Sequence, residues 1–277
     1  MNSSQYKAVF IDIDGTLIKK DHSLSPLTIE TIKKIKQLGI HVILVSARPY
    51  HGILSISDQL ELSNIPIASL NGSYIREGNT VLLNAKINLN TLEALHKELK
   101  NFNVSIIYYQ QMKWFAEVEN QFTENEKKIT EIPLIIEDFE KLIQRWKSDD
   151  NAPNKLLVVG EATEIQNIQM QTQPEFLTSL NMCTSKPVYL EVMNIGSSKQ
   201  AAIEYFLEHL NLQREEVIAI GDNFNDIEMI QFAGLGIAMG NAPDEVKAKA
   251  DYVTDTNNND GVAKALNKFI LLQESSA

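Results

Sequence analysis

Short apolar runs that stop abruptly at carboxylates stand near both ends of this chain, and they constrain its fold more than any other feature. Residues 7–11, KAVFI, lead directly into Asp12-Ile13-Asp14-Gly15-Thr16, and residues 217–221, VIAIG, lead into Asp222-Asn223-Phe224-Asn225-Asp226. An unbroken β-branched and aromatic run, without polar alternation, is the pattern of a strand buried on both faces, as in parallel sheets. Helical signals lie between such runs. Ser25-Pro26 reads as an N-cap and first turn, Ile32, Ile35 and Leu38 mark one face, and Gly39 supplies the stop before an apolar strand at 41–45. Toward the other end, a helix over about 198–210 precedes VIAIG, a short helix over 227–232 follows the acidic cluster, and GIAMG at 236–240 reads as the next buried strand. The alternation predicts an α/β fold: a doubly wound, Rossmann-like parallel sheet with helices on both faces.

Between these stretches, over roughly residues 86–186, the texture changes to longer amphipathic segments and aromatic strands. Leu92, Leu95, Leu99 and Phe102 mark one helical face, and Phe139, Leu142, Ile143 and Trp146 mark another; VSIIYY at 104–109, KWFAEV at 113–118 and LLVV at 156–159 read as strands. The expected organisation is a core of residues 1–85 and 187–277, with residues 86–186 inserted as an α+β domain. A length of 277 residues agrees with two domains. Tyr108, Tyr109, Trp114 and Trp146 read as core in preference to ligand contacts, and the strands around Tyr108 and Trp114 are the places where the insertion would meet a ligand.

Charge narrows the partners. With 25 basic against 36 acidic residues the net charge is −11 and no basic face is evident, which argues against nucleic acid. A phosphorylated small molecule would need positive charge supplied locally. Cys183 is the only cysteine, so neither an intrachain disulfide nor a cysteine-rich zinc site is open to the chain. The N-terminal MNSSQYK lacks the pattern of a signal peptide, and no segment approaches the ~20 apolar residues of a membrane span, so no membrane association and a cytoplasmic location are expected.

Ligands of parallel α/β sheets bind at the carboxyl ends of strands, and here those ends carry Asp12 and Asp14, Ser46 and Arg48, and Asp222, Asn225 and Asp226. If the sheet order brings them together, at least three carboxylates share one cleft. Two like charges ~4 Å apart repel by about 4 kcal/mol at an effective dielectric near 20. A hard dication with oxygen ligands, such as Mg²⁺, would offset that repulsion. A calcium loop is excluded, because the twelfth position from Asp12 is Ser23 and glycine stands at the fourth. Gly234, Gly236 and Gly240 lack the spacing of a dinucleotide fingerprint, and the five histidines show no metal-ligand spacing.

These motifs, in this order, resemble those of the haloacid dehalogenase superfamily, and more closely its Cof-type phosphatases with a type IIB cap. The resemblance covers nearly the whole chain. Its first motif corresponds to Asp12-Ile13-Asp14-Gly15-Thr16, its second to Ser46 after a strand, its third to Lys199, its fourth to Gly221 through Asp226, and Asn71-Gly72 falls where the subgroup carries a turn near the substrate. One departure is Ser46-Ala47-Arg48, where the family usually has Thr-Gly-Arg. The resemblance implies a phosphatase for small phosphorylated metabolites, sugar phosphates foremost. Asp12 would be the nucleophile that forms an aspartyl-phosphate, and Asp14 the general acid and base, kept protonated by burial or neighbouring negative charge. It further implies Mg²⁺ on the Asp12 carboxylate, the Asp14 main-chain carbonyl and the Asp222 carboxylate, with Asp226 arranging bound water or Lys199. Ser46, Lys199, Asn225 and the N–H groups of Ile13 and Ala47 would cradle the phosphoryl oxygens, with Thr16, Asn71 and Gly72 in support. Arg48 is expected to join the cradle or to tie the core to the cap. Phosphotransfer to a second alcohol and non-catalytic sensing of a phosphometabolite are the alternatives. Because every motif lies outside 86–186, the core is expected to perform the chemistry on almost any monoester, while the cap selects the leaving group.

Overall fold

The structure is a computed structural model that describes residues 5–62, 65–130 and 132–272; the start of the MNSSQYK segment, residues 1–4, lies outside the described residues. In chain order the first strands are β1 (Ala8–Ile11), β2 (His41–Val45), β3 (Pro66–Ser69), β4 (Tyr74–Glu77) and β5 (Thr80–Asn84). There follow β6 (Val104–Gln110), β7 (Lys113–Ala116), β8 (Ile135–Ile136), β9 (Lys155–Gly160), β10 (Leu180–Lys186) and β11 (Tyr189–Asn194), then β12 (Val217–Gly221), β13 (Leu235–Ala238) and β14 (Tyr252–Val253). The larger sheet has eight strands in the order β14-β13-β12-β1-β2-β3-β4-β5. From β14 to β3 every pairing is parallel, and β4 and β5 complete the sheet as antiparallel hairpins.

This order places a topological switch between β1 and β12. The chain leaves β1 toward β2 and β3 on one side, and β12 leads to β13 and β14 on the other. Ile11 pairs with Ile220 across one edge of β1 and with Leu44 across the other. Asp12, Ser46 and Asp222 therefore emerge at the adjacent carboxyl ends of three neighbouring strands, where the two halves of a doubly wound sheet part and leave a crevice.

The flanking helices obey local rules. Helix α1 (Pro26–Gln37) is capped by Ser25, whose hydroxyl accepts from Thr28 N, and it buries Thr28, Thr31, Ile32 and Ile35. Leu38, expected on that face, is the C-cap residue and is exposed, because the helix ends one position before it. Helix α2 spans His51–Gln59. The strand expected at 236–240 is set one residue earlier, ending at Ala238, and it is followed by a turn in which Ala242 N bonds to Met239 O.

The intervening segment builds a second, six-stranded sheet, β10-β11-β9-β6-β7-β8. It includes β11, so the chain returns to the larger sheet only after Asn194, later than the 186 expected from sequence. The reason is visible in the pairing: β11 runs antiparallel to both β10 and β9, and without it the smaller sheet would be split. Helices α3 (Leu89–Leu99), α4 (Gln121–Thr130), α5 (Phe139–Ser148) and α6 (Ala162–Gln171) belong to this unit. Phe102, expected on the α3 face, lies beyond that helix but packs on the same apolar cluster.

Strand β6 shows why its sequence lacks alternation: both its faces are covered. Ile106 and Tyr108 join Leu92, Leu95, Phe139, Leu142 and Trp146 in the helix-covered core of the smaller unit, whereas Ile107 and Tyr109 pack with Trp114, Leu157 and Val159 in a cluster continuous with the larger unit. The two-residue period of a strand thus sends Tyr108 away from the larger sheet and Tyr109 toward it. Trp114 is fully buried and donates its indole N–H to Ile132 O, so Tyr108 and Trp114 are core residues, as read from the sequence, and their two side chains are not the places where these strands would meet a ligand. Helices α7 (Lys199–Leu210) and α8 (Ile227–Phe232) return the chain to the larger unit, with α9 (Asp244–Lys247) and α10 (Gly261–Leu266). Among the described residues no helix is long and apolar enough to cross a membrane.

Trp146 is 1% exposed and packs at a tilt against Tyr108 and edge-to-face against Phe115 in the helix-covered core. Trp146→Ala is expected to cost ~3–5 kcal/mol in urea unfolding monitored by far-UV circular dichroism. A loss below about 1 kcal/mol would show that this core does not hold the smaller unit together.

Candidate active site

Asp12 follows β1, is 5% exposed, and is held by the chain N–H to Ile220 O of the neighbouring strand. Its carboxylate Oδ1 accepts from Lys199 Nζ at 2.6 Å, and the same ammonium donates to Asp226 Oδ1 at 2.5 Å. Lys199 opens α7, where a lysine opposes the helix dipole and would not be placed by local preference. Two buried carboxylates hold it there. Burial alone would lower its pKa, but Asp12 and Asp226 outweigh burial and raise it, so it is a permanent cation.

Asp226 organises this corner. Its Oδ2 accepts from Asp222 N at 3.0 Å and Asn223 N at 2.9 Å, while its Oδ1 takes Lys199. Asp226, expected to arrange bound water or Lys199, contacts Lys199 directly. Asp222 Oδ1 accepts from Thr16 Oγ1 at 3.0 Å, and Asn241 Nδ2 donates to Gly15 O at 2.8 Å and to Asp222 Oδ2 at 3.3 Å. Gly15 has φ +85°, and a Cβ there would stand 2.3 Å from Asp222 Oδ2, so glycine is required for Asp222 to close on the first loop. Asn241 stands just past β13, at another strand end, and that position was the signal by which sequence could have found it.

Oxygen atoms of Asp12, Asp222 and Asp226 lie within 4.8 Å of one another. Burial first, then the neighbouring carboxylates, push Asp12 well above the ordinary carboxylate range, with Lys199 pulling against them. Burial and Asp226 push Asp222 up to about 7. An all-oxygen cluster in which burial, and then neighbouring carboxylates, hold Asp12 and Asp222 back from ionisation fits a hard dication.

Asp14 departs from expectation. Its side chain is 48% exposed, and both its oxygens are taken by Arg48, with Nε to Oδ2 and NH2 to Oδ1 at 2.6 Å each. Arg48 also donates to Gly52 O at 3.1 Å, so it binds within the larger unit and does not tie that unit to the smaller one. The tie is made by the neighbouring Ala47, whose carbonyl accepts from Lys155 Nζ at 2.7 Å. Ser46 is buried, and its Oγ accepts from Arg48 N at 3.1 Å. The N–H groups of Ile13 and Ala47 take part in no hydrogen bond among the described residues.

Asn71 sits in the left-handed region at φ 54°, directly before Gly72 at φ +82°, whose Cβ equivalent would lie 2.5 Å from Ser198 O. That close approach lets the β3 end pack on the N-terminus of α7, beside Lys199. Asn71 Nδ2 donates to Glu191 Oε2 at 2.6 Å, and Asn225 Nδ2 reaches Asn71 Oδ1 at 3.4 Å.

Asp12, Asp14, Ser46, Ala47, Arg48, Lys199 and Asn225 line one cavity of about 180 Å³. Its opposite wall comes from the smaller sheet and α4: Glu126, Lys155, Leu157, Lys186, Tyr189 and Glu191. Sequence reasoning missed these. Glu191 within YLEVM was the legible signal, since a charge inside an apolar strand needs a partner, and Lys155 supplies one at 3.0 Å. Burial would raise the Glu191 carboxyl, yet Lys155, Ser185 and Lys199 together outweigh it and hold it low. Glu126 accepts from Tyr109 OH, and burial raises its pKa against that hydrogen bond.

The crowded carboxylates carry a stability consequence. Asp222 has a folded-state pKa above its unfolded value, so its contribution is present in acid and is lost as pH rises through about 7. Without divalent cations, the melting temperature is expected to fall by several degrees from about pH 5 to pH 8, and Asp222→Asn should flatten that fall. Differential scanning calorimetry across this range decides it; an identical slope in the variant would dissociate Asp222 from the effect.

Comparison with known proteins gives this geometry its family. The model of the haloacid dehalogenase-like hydrolases matches residues 9–266. A protein of Haemophilus influenzae that carries a phosphatase name is 38% identical over 269 residues, covering 94% of this chain and 97% of its own. The 5-amino-6-(5-phospho-D-ribitylamino)uracil phosphatase of Bacillus subtilis is 33% identical, with 96% of each chain covered. Among solved structures, a haloacid dehalogenase-like hydrolase from Bacteroides thetaiotaomicron is 31% identical with a TM-score of 0.82, covering 95% of this chain and 99% of its own. A subclass IIB sugar phosphatase of the same superfamily is 26% identical, also at a TM-score of 0.82, with 95% and 98% covered. With buried Asp12 and Lys199 at the switch point and a family match over nearly its whole length, this chain belongs to the haloacid dehalogenase-like hydrolases and is a phosphoric monoester hydrolase.

Proposed function

We propose that this chain is a cytoplasmic, Mg²⁺-dependent phosphatase that hydrolyses small sugar or sugar-alcohol phosphates through an aspartyl-phosphate on Asp12, with the smaller unit acting as a cap. One observation carries the reading: Asp12 lies buried at the floor of a cavity whose floor is the larger sheet and whose roof is the insertion. The single cysteine, Cys183, and the lack of a spanning helix among the described residues accord with the location. The substrate class is supported by the polar character of the roof, where Glu126, Lys155, Lys186 and Tyr189 offer both donors and acceptors to hydroxyl groups. It is also supported by the names of two relatives, a ribitylaminouracil phosphatase and a sugar phosphatase.

In this mechanism Asp12 attacks phosphorus and the ester oxygen leaves, splitting one hydrolysis into transfer to the carboxylate and hydrolysis of the acyl phosphate. Lys199, Ser46 and Asn225, with the N–H groups of Ile13 and Ala47, surround the position where phosphoryl charge develops. Asp14 protonates the leaving oxygen and later takes a proton from water. Both its oxygens are engaged by Arg48, so that pair must open or shift when substrate arrives. Mg²⁺ bound by Asp12, Asp222 and the Asp14 carbonyl would supply the positive charge that keeps the carboxylates ionised and screens the meeting of two anions.

Asp12→Asn is expected to lower kcat by at least about 10³-fold on any phosphate ester while leaving the circular dichroism spectrum unchanged. Phosphate release from a panel of sugar phosphates would measure it, and near-normal turnover would remove Asp12 from the chemistry. Excess chelator should abolish turnover and Mg²⁺ should restore it, with Asp222→Ala raising the concentration needed by more than about tenfold. Full activity in chelator would refute the metal requirement.

A further inference from the structure

Two groups of the proposed phosphate wall are tied to the cap through one buried ion pair. Lys155, the first residue of β9, and Glu191, within β11, are 3% and 2% exposed and meet at 3.0 Å. Each also reaches across to the larger unit. Lys155 Nζ donates to the Ala47 carbonyl at 2.7 Å, and that carbonyl shares a peptide with Arg48 N–H, which donates to Ser46 Oγ at 3.1 Å. Having accepted this bond, the Ser46 hydroxyl keeps its own hydrogen to donate. On the other side, Glu191 Oε2 accepts from Asn71 Nδ2 at 2.6 Å. With its amide nitrogen committed there, Asn71 turns its oxygen to Asn225 Nδ2 at 3.4 Å, and its own N–H anchors to Ser46 O at 2.9 Å.

We propose that Lys155 and Glu191 are positioning residues that couple cap closure to assembly of the phosphate wall, setting the Ser46 hydroxyl and the Asn225 amide for phosphoryl transfer. The proposal rests on the phosphatase reading above. A buried ion pair is a poor source of net stability, because desolvation cancels most of its attraction, but it is sensitive to register. Ser185 of the same sheet supplies part of the compensation for Glu191, and the rest needs Ala47 and Asn71 both in reach. A cap held elsewhere leaves the pair facing water, and leaves the Ala47 carbonyl and the Asn71 amide without their cap partners. The pair thereby joins what the sequence kept apart, since cap residues were expected to choose the leaving group and not to serve the chemistry.

The test uses the full chain with Mg²⁺ and p-nitrophenyl phosphate, whose small leaving group asks little of the cap. Lys155→Met combined with Glu191→Leu replaces the pair by apolar groups of similar size, so the variant is expected to fold with a melting temperature near that of the parent. Its kcat should fall by about tenfold or more with KM changed much less, since wall groups displaced by a fraction of an ångström lose transition-state contacts. In the single variants, Glu191→Gln should retain more kcat than Glu191→Leu, because it keeps an acceptor for Asn71. A well-folded double variant with parental kcat on the aryl ester, impaired only on sugar phosphates, would overturn the proposal and make the pair a reader of the leaving group. Absence of turnover in the parent would sink the phosphatase reading instead. Calorimetric binding of inorganic phosphate would then decide the role of the pair: weakened binding in the double variant supports it, and unchanged affinity refutes it.

Discussion

Mutual repulsion among carboxylates in a cleft with little water is the constraint on which the rest of this molecule depends. Asp12, Asp222 and Asp226 converge within 4.8 Å, all largely withdrawn from solvent. A buried charge of one sign survives only with a counter-charge at hand. Lys199 supplies the permanent one, and it does so from the first turn of a helix, where it opposes the helix dipole. The oxygen-only donor set would suit a dication for the remainder of the compensation. The site is thus unfavourable by itself and stable only when charged partners are in place.

The scaffold meets this demand through topology. Parallel pairing of β1 with β12 and β2 delivers three polar strand ends to one crevice, and the loops between them are drawn tight by backbone contacts that tolerate no side chain. Gly15 lets Asp222 approach the first loop, and Gly72 lets the β3 end approach α7. The smaller unit then covers the crevice. Its sheet has two apolar faces, one closed by its own helices and one continuous with the larger core, so the covering contact is substantially hydrophobic. Polar groups interrupt that apolar contact: Lys155 and Glu191 meet Ala47 and Asn71 across the boundary, and Asn154 meets Asn84 and Ala85, so their partners favour one docked position over its neighbours.

Much of this was legible in the chain itself because it is local. The strands KAVFI and VIAIG, the Ser25-Pro26 helix start, and the acidic clusters that follow the strands are written in consecutive residues, and a parallel sheet with a strand-end site follows from them. Asp12, Asp222, Asp226, Lys199 and Ser46 are brought together as the motif order implied. What the sequence left open is what non-local packing sets. Tyr108 and Tyr109 are adjacent and identical, yet a strand turns one toward helices α3 and α5 and the other toward the cavity wall through Glu126. Arg48, expected to join the cradle or to tie the core to the cap, lines the cavity and grips Asp14, because its fork matches a carboxylate nearby in space but 34 residues away in sequence.

By itself, then, the sequence determined which strands end in carboxylates and what chemistry such ends can perform, since period and composition encode whether a segment is buried and where it stops. Only the tertiary structure decided which partners those carboxylates meet. The smaller sheet extends through Asn194 because β11 is needed between β9 and β10, a pairing that no single segment reveals. Glu191 interrupts an apolar strand and Lys155 opens one, and each is explained by a partner more than thirty residues distant. Charge pairing in a low-dielectric interior acts through space and is indifferent to chain separation, so its assignments appear only when the chain has closed on itself.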